Sequence, residues 1–236
     1  MEKDAEEAAD GELLAAIRAA LVEAAEPVRA PGMQSYMRSA MPFLGVPKPA
    51  RDRALRPVFA ARPLPDASSW SATVLALWRQ ARYREERYAA IDLTGHQAYR
   101  AYWRAETLDL YDEMITTGAW WDYVDEISAR RVGPLLAAYP EAIRSVILRW
   151  SCDGNRWRRR SSIICQLQFK AATDLDLLYA CIDANLDDPD FFIRKAIGWG
   201  LRQYARIDQA EVVRFVSARG ERLSPLSRRE ALKHIR

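Results

Sequence analysis

Histidine is nearly missing from this 236-residue chain, which has only His96 and His234. Cysteine is scarce as well: Cys152, Cys165 and Cys181 stand apart and form no Cys-x-x-Cys. Together these shortages remove the usual ligand sets for zinc or iron, so no metal is expected. No cofactor is expected either. An odd number of thiols in apolar helical surroundings reads as buried free cysteines of a reducing compartment. No apolar run approaches the ~18 residues that a membrane span needs, and the acidic start is the opposite of a secretory leader. Both absences point to the cytoplasm. No Pro/Gly/Ser-rich linker divides the chain either, so a single domain over 1–236 is expected, with 1–10 as a flexible acidic N-terminus.

Strand patterning is also missing, whereas helical periodicity is nearly continuous. Leu13, Leu14, Ile17 and Leu21 mark a first helix that Pro27 ends, and Pro31 suits the first turn of a second running to Met41. After a turn at Phe43-Leu44-Gly45-Val46-Pro47, further helices are predicted near 49–61, 69–81, 84–93, 96–103, 106–117 and 120–138. Five more follow near 140–150, 156–170, 174–186, 190–205 and 209–219, and a last one near 225–235. Helices of this length joined by short turns predict an all-α fold, a curved solenoid of stacked antiparallel pairs of the HEAT or armadillo kind. Its concave face would be a basic groove for an elongated ligand. Trp70, Trp78, Trp103, Trp150 and Trp157 are spaced as core residues, and Tyr36 as a partly buried aromatic.

Charge is uneven. Of 35 basic and 32 acidic residues, positions 1–26 hold eight acidic side chains against Lys3 and Arg18, which leaves 33 basic and 24 acidic residues in the rest. A body this basic favours a polyanionic partner.

The chemistry gathers in three segments. In Trp120-Trp121-Asp122-Tyr123-Val124-Asp125, Trp121 and Asp125 are four apart and share a helix face. Glu126 has a helical ion-pair partner in Arg130, whereas Asp125 has none on its own helix, since Ser128 and Ala129 occupy those places. Trp157-Arg158-Arg159-Arg160 opens another helix; Arg158 and Arg159 read as solvated or phosphate-facing, and Arg160 as able to turn inward to a carboxylate. In Phe191 to Arg202, Lys195, Trp199 and Arg202 form one stripe, with Gly198 and Gly200 in mid-helix, each disfavoured by roughly 1 kcal/mol relative to Ala. Such glycines suggest the close approach of another backbone or of a ligand. Trp199 alone reads more as a core residue, and its cationic stripe leaves a core role and a ligand-facing role equally open.

These blocks, with Ser35-Tyr36-Met37-Arg38, Phe43-Leu44-Gly45-Val46 and Leu226-Ser227-Arg228-Arg229-Glu230-Ala231, resemble the AlkD-like DNA alkylation repair family of HEAT-like-repeat DNA glycosylases, from about Met33 through Ile235. The resemblance implies a catalytic aspartate at Asp125, cleft tryptophans at Trp121 and Trp199, a cleft arginine at Arg160 and a cleft tyrosine at Tyr36. It further implies monofunctional excision of 3-methyladenine and 7-methylguanine types from duplex DNA, a base excision repair step carried out without base flipping. Arg159, Lys195 and Arg202 would join Tyr36 in binding DNA. A groove of this kind works as a monomer, and a bacterial-type cytoplasmic, nucleoid-associated location would follow. The rival readings are a noncatalytic helical-repeat scaffold for nucleic acid or protein, and an RNA-binding repeat module. The first leaves the Trp121/Asp125 pairing unexplained, and the second lacks regular base-reading pairs.

Overall fold

In the computed structural model, which describes residues 8–235, the described residues form fourteen α-helices and no strand. The helices divide into two compact units, Met1–Trp103 and Arg104–Arg236. Among the described residues, no helix is long and apolar enough to cross a membrane.

The first unit holds α1 (Gly11–Glu23), α2 (Ala30–Met37), α3 (Lys48–Ala61), α4 (Ala67–Arg79) and α5 (Arg84–Thr94). Leu13, Leu14, Ile17 and Leu21 bury one stripe of α1, as their spacing predicts. Residues 1–7 of the expected flexible terminus lie outside the described residues. Asp10, from the same stretch, has a defined place: its carboxylate accepts from Leu13 N, capping α1, and its own N–H donates to Thr73 Oγ1 at 2.9 Å. The Phe43–Pro47 turn is held by Glu85, a fully buried carboxylate that accepts from the N–H groups of Leu44, Gly45 and Val46 at 2.9–3.0 Å. The helix predicted near 96–103 is a 3-10 stretch, Gln97–Tyr102.

The second unit contains α6 (Leu108–Gly118), α7 (Trp121–Ile127), α8 (Gly133–Ala138), α9 (Pro140–Ser151), α10 (Arg156–Ile164), α11 (Leu175–Asp183), α12 (Phe191–Tyr204), α13 (Gln209–Arg219) and α14 (Pro225–Ala231). Side chains of Asn155, Asp174, Asp190, Asp208 and Ser224 cap α10 to α14, which is why the chain can restart a helix after each short turn. Hydrogen bonds between neighbouring pairs recur at similar sequence separations: 35 for Arg160–Asp125, 32 for Tyr179–Glu211, 34 for Asn185–Ser151 and 33 for Ser227–Arg194. A near-constant offset of this kind is the contact signature of stacked helix pairs, each touching its neighbour in the same register.

The single helix predicted over 120–138 is interrupted. Between α7 and α8 lies one π-helical turn, Ser128–Val132, closed by Gly133 N–H donating to Ser128 O. Two expectations about burial also change. Cys152 is exposed at the C-cap of α9, while Cys165 and Cys181 are buried free thiols; burial pushes both of the latter up, Cys181 to about 11. Trp70, Trp78, Trp150 and Trp157 are core residues, but Trp103 is only half-buried.

Candidate functional site

Three core residues orient α7. Tyr123, Val124 and Ile127 are fully buried, so the opposite side of this short helix carries Trp121, Asp122, Asp125 and Glu126 toward its half-exposed face. Glu126 pairs with Arg130 at 3.2 Å, as expected for positions four apart. Asp125 has no partner on its own helix. Its partner comes from α10, where Trp157, Arg160, Ser161 and Ile164 form the buried stripe.

Arg160 meets Asp125 edge to edge. Its Nε donates to Oδ1 at 2.7 Å and its Nη2 to Oδ2 at 2.8 Å, the two parallel bonds for which guanidinium and carboxylate are matched. The remaining Nη1 donates to the carbonyl of Phe192 in the first turn of α12. One side chain, 6% exposed, thus ties three helices together. Burial pushes the Asp125 carboxyl above its ordinary range. The hydrogen bonds and charge of Arg160 pull it back down, and neighbouring Asp122 adds a smaller upward push.

Two further contacts set this pair in register. Ser128, in the π turn, shares a 2.6 Å hydrogen bond with Ser161, the residue after Arg160, and also donates to Val124 O. One step on, Gly133 lies so close to the Cys165 carbonyl that a Cβ there would overlap it. Asp125–Arg160, Ser128–Ser161 and Gly133–Cys165 advance in the same direction, so the two helical runs lie parallel with their spacing fixed by small groups.

On α12, Lys195 and Arg202 both turn to one carboxylate, Glu230 of α14. Lys195 Nζ donates to Oε1 at 2.9 Å and Arg202 Nη1 to Oε2. Trp199, between them in sequence, is half-exposed. The two glycines have different reasons. A Cβ on Gly198 would fall 2.5 Å from Glu230 Cβ and 2.9 Å from Ser227 O, so α14 is the close backbone. A Cβ on Gly200 would meet its nearest neighbour, Ile163 O, at an ordinary 3.5 Å.

Other expected positions differ. Arg158 and Arg159 do not stand free in solvent: Arg158 is bound to Asp112 and Asp153, and Arg159 to Asp188 and to the carbonyls of Asp153 and Gly154, so a phosphate would have to compete with these partners. Tyr36 belongs to the first unit and is 74% exposed rather than partly buried, on a helix with no buried residue. The structure therefore joins Asp125 directly to Arg160, and Lys195 to Arg202 through Glu230. Glu230, Ser128 and Ser161 escaped the sequence reading. The signal for Glu230 was present in Gly198, whose missing side chain marks where α14 lies.

Comparison with known proteins places these residues in context. No curated protein matches the chain. Among solved structures, a chain described as a predicted DNA alkylation repair enzyme from Enterococcus faecalis matches with a TM-score of 0.81 and 28% identity, over 89% of this chain and 96% of that one. The profile of a family described as DNA alkylation repair enzyme matches residues 17–235, a span holding every residue of the site. By that match this chain belongs to the DNA alkylation repair enzyme family.

Proposed function

We propose that this protein is a DNA glycosylase that hydrolyses the N-glycosidic bond of cationic N3- and N7-alkylated purines, such as 3-methyladenine and 7-methylguanine, in duplex DNA. The observation that carries the reading is Asp125: a largely buried carboxylate, fixed by a bidentate arginine and one helical turn from Trp121. Membership in an alkylation repair family supplies DNA as the substrate class.

An alkylated purine with a formal positive charge departs without being protonated. The C1′–N bond breaks with its electron pair going to the base, which leaves neutral, and positive charge develops on the deoxyribose. A fixed carboxylate stabilises that charge without reorganising, and indole faces add cation–π attraction. Water then forms the new C1′–O bond and loses a proton, for which the upward-shifted Asp125 is a better acceptor than an ordinary aspartate. Arg160 keeps the carboxylate aimed, while Trp121 and Trp199 exclude bulk water from the sugar. Lys195 and Arg202 supply the phosphate contacts. Arg159, held by Asp188, has a weaker claim than these. The enzyme acts as a monomer on a stacked lesion, without extruding the base, within the cytoplasm.

Incubation with methylated duplex DNA and chromatography of the released bases tests this reading. Free 3-methyladenine or 7-methylguanine, with an abasic site left in an unbroken strand, supports it. Intact methylated DNA after long incubation under binding conditions favours the noncatalytic scaffold instead.

A further inference from the structure

Glu230 occupies an unusual position. One carboxylate serves two cations seven residues apart on α12, so Lys195 and Arg202, on a helix stretch of about 10 Å, converge on a single pair of oxygens. Arg158 shows the reverse arrangement, one cation between Asp112 and Asp153. The Lys195–Glu230–Arg202 cluster keeps a net positive charge. Its cations are also reachable: the Lys195 side chain is 38% exposed and that of Arg202 22%. Glu230 itself is held by its backbone, because its Cβ rests on Gly198.

Two donors aimed at two carboxylate oxygens match equally well the two non-bridging oxygens of a phosphodiester. We propose that Lys195 and Arg202 form a phosphate seat which Glu230 fills in the free protein and yields to a backbone phosphate when DNA binds. This rests on the reading of the protein as a DNA-binding repair enzyme and assigns Glu230 a role in it. Glu230 holds the two long side chains together before DNA arrives. It also weakens binding to any given stretch of duplex, since each engagement must displace it. With Glu230 as resident counterion, fewer salt ions are released when phosphate takes its place.

The test is a two-by-two comparison on the full chain: wild type, Glu230→Gln, Lys195→Gln/Arg202→Gln, and the combined variant. Each is titrated with labelled undamaged duplex across a salt series, after thermal unfolding has shown that it is folded. Glu230→Gln is expected to tighten binding severalfold and to steepen the salt dependence by about one unit of slope. Both effects should vanish in the Lys195→Gln/Arg202→Gln background. Asp187→Asn, which removes a carboxylate paired with Arg222 at 3.3 Å away from the seat, should give a smaller gain than Glu230→Gln. Unchanged or weaker binding by Glu230→Gln overturns the proposal. So does an equal gain with and without the two cations, which would be a long-range charge effect only. Base release plays no part in this readout. Failure of the glycosylase reading with the coupling intact leaves the seat standing, and base release without the coupling removes the seat alone.

Discussion

The Arg160 guanidinium and the Asp125 carboxylate share two hydrogen bonds of 2.7 and 2.8 Å, and among the described residues no other hydrogen bond reaches either carboxylate oxygen. One face of the carboxylate is therefore committed to orientation, and its remaining lone pairs are available for chemistry.

Replacement of Asp125 by Asn keeps the shape and removes the charge. Single-turnover release of 7-methylguanine should fall by roughly two to three orders of magnitude, the scale seen when one preorganised charge-stabilising group is lost. Duplex affinity, read by anisotropy, should change little. Native-rate release by this variant would dismiss Asp125 as the catalytic group.

Acidity offers an independent check. Burial raises the Asp125 value above that of an exposed aspartate, so as pH falls this group takes up its proton earlier than an ordinary carboxylate. The rate of base release should drop on the acid side with a midpoint above the ordinary carboxylate range. Arg160→Gln, which removes the main downward influence, should move that midpoint higher still. The same sign holds for stability: between the unfolded and folded values the native state binds the extra proton, so this group's contribution declines as pH rises through that window.

The two mid-helix glycines of α12 should respond oppositely to alanine. Gly198→Ala drives a methyl into Ser227 and Glu230 and should destabilise by about 1–3 kcal/mol. Gly200→Ala finds ordinary contact distances and should be neutral or stabilising by up to about 1 kcal/mol, from helix propensity. Denaturant unfolding of both variants measures the contrast, and equal effects would contradict the packing described for α14.

Ser128→Ala and Ser161→Ala each leave a buried hydroxyl without its cross-helix partner and should each destabilise by about 1–2 kcal/mol. The double variant should lose less than the two singles together, since both polar groups then go. A double-mutant cycle on unfolding free energy reads the coupling, and strict additivity would remove this hydroxyl pair as a register device.

Much of this was legible in the chain. Helical periodicity and the short turns between periodic segments were enough for an all-helical stack, because both act locally. Arg160 was readable as able to turn inward to a carboxylate and Asp125 as unpartnered on its own helix, while their two-bond pairing needed the structure. What escaped notice depends on contacts distant in sequence. The widened turn at Ser128–Val132 has no compositional mark, and Arg158 and Arg159 looked solvated because Asp112 and Asp188 lie 46 and 29 residues away. The exposure of Cys152 and Tyr36 likewise depends on which neighbours pack beside them.

The π turn has a consequence for chain length. It takes in one residue more than a regular helix would between Asp125 and Gly133. Deleting any one of Ala129 to Arg131 would let the segment close into an unbroken α-helix with Gly133 still facing the Cys165 carbonyl, whereas adding a residue would turn everything after it by about 100° relative to Asp125. The turn thus stores one residue of slack, and this stretch should tolerate a single deletion better than a single insertion.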